Sequence, residues 1–163
     1  MSKNDALFIC VHNSARSQMA EAYVRLLSNG EIQVESAGFE PTAINPLVID
    51  AMKEEGIDLT NKKTQSVFDL FKQGKAYRFV ITVCDESEGG QCPIFPGVTH
   101  RLHLPFPDPA TLTGTYEEKL AKVRDIRDGI KRLMQDFVSW VKDGGKGSLA
   151  KTWHRLDIEK NNQ

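Results

Sequence analysis

Residues 6–20 read ALFICVHNSARSQMA, and this stretch contains a strand, a loop and the start of a helix. Residues 6–9 form a short, continuous apolar run, as expected of a strand that is buried on both faces. Over residues 14–28 the apolar side chains recur at helical spacing, and Asn29-Gly30 can end the helix. A strand that passes through a short loop into a helix predicts the first unit of a parallel α/β sheet.

The rest of the chain repeats this alternation. Further strands are predicted over residues 32–35, 78–83 and 98–104. Further helices are predicted from Asn45-Pro46 to Gly56, over residues 67–71, and from the capping box at residues 115–118 to Gly144-Gly145. Strands that alternate with helices predict an α/β fold in which helices cover both faces of a parallel sheet. Ligands of such sheets bind beyond the C-terminal ends of the strands.

Length and composition exclude several classes of protein. With 163 residues the chain has the size of one domain, which we expect to span residues 1–143, followed by a polar C-terminal tail over residues 144–163. A net charge of −1 gives no electrostatic reason to expect nucleic acid as a partner. No apolar run reaches the roughly 18 residues of a membrane span, so we expect no membrane partner. Three cysteines are too few for a secreted disulfide framework, and we therefore expect a cytoplasmic protein.

The loop after the first strand has the composition of an oxyanion site. Backbone N–H groups converge in such a loop at the positive end of the following helix, and Arg16 can hold two oxygens of a tetrahedral anion. The same field stabilises the thiolate of Cys10, which is the nucleophilic form, and the Ser17 hydroxyl can hydrogen-bond that sulfur. The alternative is that Cys10 is a small buried apolar residue. The residues expected to bind the oxyanion are Val11, His12, Asn13, Ser14, Ala15, Arg16 and Ser17.

Residues 10–21 resemble the active-site loop of the low-molecular-weight tyrosine phosphatases, and most closely that of the arsenate reductases that share their fold. Ser36-Ala37-Gly38 resembles the same family, as does Asn45-Pro46 followed by Ala51-Met52-Lys53. The similarity runs from about residue 5 to about residue 140. It implies a three-layer, doubly wound sheet of four parallel strands in the order 2-1-3-4. It also implies an enzyme whose substrate is arsenate, with phosphate or sulfate as competing oxyanions.

Asp108 lies in the rigid segment Pro105-Phe106-Pro107-Asp108-Pro109, in which three prolines fix the backbone. The resemblance implies that Asp108 lies over the oxyanion loop and protonates the departing oxygen of the substrate. The alternative is a surface aspartate in a turn, which is common before proline.

Cys84 and Cys92 are implied by the resemblance to form a redox relay with Cys10. After Cys10 attacks arsenate, Cys84 attacks the adduct and forms a disulfide with Cys10, and Cys92 then moves the oxidation to a Cys84–Cys92 disulfide. A thioredoxin-like protein would supply the electrons, with no tightly bound cofactor. Seven residues separate Cys84 from Cys92, where six are common in the family. As a continuous helix the segment would hold them about 12 Å apart, so their pairing requires it to loop out.

Three alternatives to this relay remain open. A phosphotyrosine phosphatase would use Cys10, Arg16 and Asp108 and would need no further cysteine. A non-catalytic module would bind phosphate or sense oxidants through Cys10. A zinc site with His100 and His103 does not match common ligand spacings.

A weak potassium site is also possible. Some relatives bind potassium beside the oxyanion loop, and Asn13, Glu21 and Ser36 match three of those positions. Gln65 stands where an aspartate is expected, and the loss of a carboxylate should weaken a cation site.

Overall fold

The structure is a computed structural model that describes residues 4–83 and 100–144. Its centre is a four-stranded sheet in the order β2-β1-β3-β4, and every neighbouring pair is parallel. The predicted α/β class and the order 2-1-3-4 are therefore confirmed. The strands are β1 at Asn4–Cys10, β2 at Val34–Gly38, β3 at Tyr77–Thr82 and β4 at His100–His103.

Four α-helices lie on the two faces of the sheet. They are α1 at Arg16–Leu27, α2 at Pro46–Lys53, α3 at Val67–Lys72 and α4 at Tyr116–Lys142, and a short 3-10 turn at Pro109–Thr111 precedes α4. None of the helices within residues 4–83 and 100–144 combines the length and the apolar character that crossing a bilayer would require.

Alternation along β1 divides the core into two layers, because successive side chains of a strand point to opposite faces. Ala6 and Phe8 face the cluster formed with α1, α2 and α4, whereas Leu7 and Ile9 face the smaller cluster formed with α3. The three-layer arrangement follows from this division. It also explains why residues 6–9 are all apolar and all fully buried.

The helix starts follow their predicted capping residues. Asn45 accepts a hydrogen bond from the backbone of Leu47, and Thr115 accepts one from the backbone of Glu118. These contacts satisfy N–H groups that have no partner inside the helix. Two differences from the sequence prediction are the 3-10 turn, which was not predicted, and the position of β2.

Strand β2 begins and ends later than residues 32–35. Its pairing with β1 continues through Ile9 with Ala37 and Cys10 with Gly38, so the strand includes a small-residue segment that local propensity disfavours. Backbone pairing with β1, which the local pattern does not contain, sets this boundary. As a result, Gly38 lies directly beside Cys10.

Candidate active site

Cys10 is the last residue of β1 and is only 2% exposed. Its sulfur lies 2.9 Å from the Oγ atom of Ser17, and the backbone N–H of Asn13 donates to it over 3.2 Å. Helix α1 begins six residues later at Arg16, and no side chain caps its first turn. The thiol therefore lies where a strand end meets the positive end of a helix, a setting that is typical of nucleophilic cysteines.

The backbone of the oxyanion loop is held from outside by the segment that follows β2. The carbonyl oxygens of Val11, His12 and Ser14 accept hydrogen bonds at 2.8 to 3.0 Å from backbone N–H groups of residues 40–45. The N–H and C=O groups of one trans peptide point in opposite directions. Outward carbonyls thus turn the following N–H groups toward the inside of the loop, as the contact of Asn13 with Cys10 shows.

Two local features allow this loop conformation. Asn13 has a φ of 52°, in the left-handed region that asparagine tolerates better than most residues. Gly38 packs so closely that a Cβ atom there would lie 2.7 to 2.9 Å from backbone atoms of residues 11–13. The His12 ring adds a further contact through Nδ1, which lies 3.0 Å from the Glu40 carbonyl oxygen.

Asn13 is the centre of a buried hydrogen-bond network. Its Nδ2 atom donates to the Oγ atoms of Ser17 at 2.8 Å and Ser36 at 2.9 Å. Its Oδ1 atom accepts from Gln18 Nε2 and from the backbone of Gln65, both at 3.0 Å. Two acceptors on one side and two donors on the other fix the orientation of the amide.

Glu21 lies at one end of this network and fixes the direction of the hydrogen bond that it accepts from Ser36. A carboxylate can only accept, so the Ser36 hydroxyl donates to Glu21 over 2.9 Å. Ser36 must then accept from Asn13, whose second amide hydrogen points at Ser17. The Ser17 hydroxyl hydrogen remains for the sulfur of Cys10. Hydrogen bonds thus run from the Asn13 amide in two directions, through Ser36 to Glu21 and through Ser17 to the sulfur of Cys10.

Arg16 and Asp108 meet beside the same loop. The Arg16 side chain is 2% exposed; its Nη1 atom donates to the Phe106 carbonyl over 3.1 Å, and its Nη2 atom lies 3.6 Å from Asp108 Oδ2. The other carboxyl oxygen of Asp108 accepts from the backbone of Ala110 at 2.9 Å and caps the 3-10 turn. The segment that carries Asp108 is therefore fixed both to its own turn and to the arginine of the loop.

The structure brings together Cys10, Asn13, Arg16, Ser17 and Asp108, which were selected from the sequence. Cys84 and Cys92 lie outside the described residues, so the relay assigned to them stays a prediction. Val83, the last described residue before Cys84, donates its N–H to the carbonyl of Ile9. Val83 therefore lies beside Ile9, the residue that precedes Cys10.

The residues matched to a potassium site also come together, but with two cationic side chains among them. Glu21 is 2% exposed, and its carboxylate lies 3.1 Å from Lys62 Nζ and 3.2 Å from Arg25 Nη2. Sequence reasoning selected neither cation, nor Gln18. Lys62 is 41 residues from Glu21, and its partner could not be read from the local pattern.

Nothing in the described part of the chain resembles a metal centre built from histidine, cysteine or carboxylate side chains. His103, one of the two histidines of the zinc alternative, has its Nδ1 atom 2.7 Å from the Thr82 hydroxyl. That contact gives this histidine a structural role between β3 and β4.

Comparisons with known proteins agree with the fold. The model of the family described as low molecular weight phosphotyrosine protein phosphatase matches residues 5–146. An arsenate reductase of Bacillus subtilis (strain 168) is 39% identical over 130 residues, which cover 80% of this chain and 91% of that protein.

Solved structures give the same result. One described as an arsenate reductase in reduced state has a TM-score of 0.68 at 26% identity, and the match covers 86% of this chain and 99% of that one. A thioredoxin-dependent arsenate reductase of Corynebacterium glutamicum has a TM-score of 0.52 at 26% identity, and the match covers 82% of this chain and 62% of that one. The chain therefore belongs to the low molecular weight phosphotyrosine protein phosphatase family and, within it, resembles proteins named arsenate reductase.

Proposed function

We propose that this protein is an arsenate reductase that uses Cys10 as its nucleophile. The observation that carries the proposal is the buried Cys10 sulfur with its two hydrogen-bond donors, Ser17 and the Asn13 backbone, beside the Arg16–Asp108 pair. This is an arrangement for attack on a tetrahedral oxyanion. Phosphate and sulfate share the tetrahedral shape of arsenate and compete for the loop.

In the first step the Cys10 thiolate attacks arsenic. Arg16 and the inward N–H groups of residues 11–17 bind the remaining oxygens, whose negative charge they offset. One As–O bond breaks, and its oxygen leaves as water after taking a proton from Asp108. The product is a covalent S–As adduct on Cys10, in which arsenic is still in the +5 state.

In the second step Cys84 attacks the sulfur of Cys10. An S–S bond forms, the S–As bond breaks, and its electron pair stays on arsenic, which leaves as arsenite in the +3 state. Cys92 then attacks Cys84 and releases the Cys10 thiolate, so that the oxidation resides in a Cys84–Cys92 disulfide. A dithiol donor of the thioredoxin class reduces that disulfide and closes the cycle.

Two features of the sequence favour reduction over phosphate-ester hydrolysis. Hydrolysis needs one cysteine, whereas this chain has Cys84 and Cys92 in addition. Asp108-Pro109 is followed by Ala110-Thr111 and not by the tandem aromatics that line the cleft of tyrosine phosphatases. The thioredoxin-dependent relative from Corynebacterium glutamicum supports the same class of electron donor.

A phosphotyrosine phosphatase is the second candidate. The family description names that activity, and the same three residues would perform it: Cys10 as nucleophile, Arg16 as anion ligand and Asp108 as acid. The hydrolytic cycle would end with water attacking a phosphocysteine. It predicts that neither Cys84 nor Cys92 affects turnover.

A coupled assay separates the two candidates. NADPH oxidation is followed with arsenate, thioredoxin and thioredoxin reductase for the wild type, Cys10→Ser, Cys84→Ser and Cys92→Ser. We expect multiple turnovers in the wild type and none in the three variants. Hydrolysis of an aryl phosphate is measured in parallel on the same four proteins.

The opposite pattern would reject the reductase. If arsenate causes no NADPH oxidation while the aryl phosphate is hydrolysed by every protein except Cys10→Ser, the protein is a phosphatase. If Cys92→Ser retains arsenate turnover while Cys10→Ser and Cys84→Ser lose it, the three-cysteine relay is rejected. Cys10 and Cys84 would then act together with an external thiol.

A further inference from the structure

We propose that Lys62 is a positioning residue whose ammonium group takes the place of a dissolved monovalent cation beside the active-site loop. The proposal concerns the environment of Cys10 and holds whichever oxyanion the enzyme converts. It replaces the potassium site suggested by Asn13, Glu21 and Ser36, because the residues around Glu21 do not fit a potassium ion.

The charge balance at Glu21 leaves no need for another cation. A carboxylate that is 2% exposed is costly unless it is paired, and Lys62 lies 3.1 Å from one of its oxygens and 3.3 Å from the other. Arg25 contacts the first oxygen as well, from a more exposed position. Two positive side chains thus face one negative charge, and a potassium ion would be repelled.

The contacts of Gln65 also disfavour a potassium site. Its side-chain Nε2 atom donates to the Ser36 carbonyl oxygen over 2.9 Å and to Glu35 over 3.2 Å. The amide therefore presents hydrogens to the carbonyl oxygen, whereas a cation site needs oxygen atoms free to bind the ion. Here Gln65 does not supply the carboxylate that the resemblance led us to expect.

Lys62 is connected to Cys10 through the hydrogen-bond network around Asn13. It holds the Glu21 carboxylate in place, and the Ser36 hydroxyl that donates to this carboxylate accepts from the Asn13 amide. Asn13 in turn leaves the Ser17 hydroxyl to donate to the sulfur. Without Lys62, the buried Glu21 carboxylate would lose the less exposed of its two cations, and an external cation could take that place. A Glu21 carboxylate that moves toward water would withdraw the acceptor of Ser36 and shift Asn13, and with it the Ser17 hydroxyl beside Cys10.

The test measures the reactivity of Cys10 itself. In a chain with Cys84→Ser and Cys92→Ser, the rate of alkylation by iodoacetamide at neutral pH reports on one thiol. The rate is compared in potassium chloride and in choline chloride at equal ionic strength, for this parent and for Lys62→Ala. Lys63→Ala is the matched control, because the neighbouring lysine has an exposed side chain that no part of the network uses.

We expect the parent and Lys63→Ala to react at the same rate in both salts, within about twofold. A hydrogen bond to a charged sulfur is lost or weakened in Lys62→Ala, so its rate in choline should fall roughly tenfold. Potassium should restore most of that loss, since the ion can then reach Glu21. Thermal unfolding in the two salts gives a second readout, with a potassium-dependent increase in Tm for Lys62→Ala only.

Three results would overturn the proposal. One is a parent whose Cys10 reactivity rises more than threefold in potassium, and this comparison needs no Lys62 variant. The second is a Lys62→Ala protein that reacts like Lys63→Ala in choline. The third is a loss of reactivity that potassium does not restore. If Lys62→Ala does not fold, Lys62→Gln, which keeps the length but not the charge, takes its place.

Discussion

Asn13 meets two separate requirements, one on its side chain and one on its backbone. The side chain there donates to Ser17 and Ser36 and accepts twice on its oxygen, while its backbone adopts a φ of 52°. Aspartate would lack the two donors, and glutamine would not adopt the left-handed region as readily. Asparagine satisfies both requirements, and the orientation of the Ser17 hydroxyl depends on it.

Gly38→Ala should impair the enzyme through the loop backbone. The added Cβ would lie 2.7 Å from Asn13 N and 2.8 Å from Val11 O, and backbone atoms cannot move aside as a flexible side chain can. We expect a roughly 10- to 100-fold loss of Cys10-dependent turnover from the displaced loop, and about 1–3 kcal/mol of lost stability. Turnover and urea unfolding measure the two effects.

Gly129→Ala is the matched control for this substitution. Its Cβ would meet only side-chain atoms at 3.9 Å, and the residue lies inside α4. Alanine there should stabilise the protein by about 0.5–1 kcal/mol and leave turnover unchanged. Equal activities of the two variants would show that the close approach of Gly38 does not constrain the loop.

At the scale of elements, the features that could be predicted from the sequence are those that depend on residues close together in the chain. The strand, loop and helix of residues 4–27 could be predicted because hydrophobic periodicity and loop composition lie within one short stretch. The C-terminal boundary of β2 could not, since Gly38 belongs to the strand only through its pairing with Cys10. The 3-10 turn after Asp108 likewise depends on a side-chain contact, with the backbone of Ala110.

The contact between α2 and α4 should make stability depend on acid pH. Hydrogen bonds from Arg124, and then from Arg127, lower the pKa of Glu54 to about 2 from an ordinary value of 4.5. The folded state therefore holds the carboxylate ionised at pH values where the unfolded chain takes up a proton. Its stabilising effect is complete above about pH 4.5 and disappears as pH falls through about 2.

Glu54→Gln tests this dependence. The wild type should have the higher Tm near neutral pH, and the difference should shrink between about pH 4.5 and about pH 2. Asp136→Asn, on an exposed position of α4, should show no such convergence. A Tm difference for Glu54→Gln that stays constant across this range would mean that the two arginines do not act on the charge of Glu54.

At the scale of the molecule, the site depends on contacts between distant parts of the chain. Arg16 reaches Phe106 over 90 residues, and Lys62 reaches Glu21 over 41. The role of Asp108 followed from the family resemblance and not from the local pattern, in which an aspartate before proline is an ordinary turn. Lys62 had no signal at all, because the charge that it meets is buried on another element.

Truncation separates the domain from its predicted tail. A chain that ends at Gly145 keeps α4 and the contact of Arg78 with the Gly144 carbonyl, so we expect catalysis to remain nearly intact. A chain that ends at Gln135 loses Phe137 and Trp140, whose rings pack on Phe79. Each such loss costs about 3–5 kcal/mol, against a total stability of about 5–15 kcal/mol.

Circular dichroism and turnover of the two truncated proteins give the comparison. The shorter chain should be unfolded or molten at 25 °C, and the longer one should match the full-length protein within about twofold. Loss of activity in the chain that ends at Gly145 would place part of the catalytic apparatus beyond the predicted domain.

The separation of Cys10 from its acid also has a consequence during synthesis. A ribosome adds roughly 5–20 residues per second, so the nucleophile emerges several seconds before the segment that carries Asp108 exists. Until Phe106 has met Arg16, the nascent polypeptide has a thiol but no acid beside it. Under the proposed mechanism, turnover thus begins only after translation has passed this segment, and chains interrupted before it are silent in an activity assay.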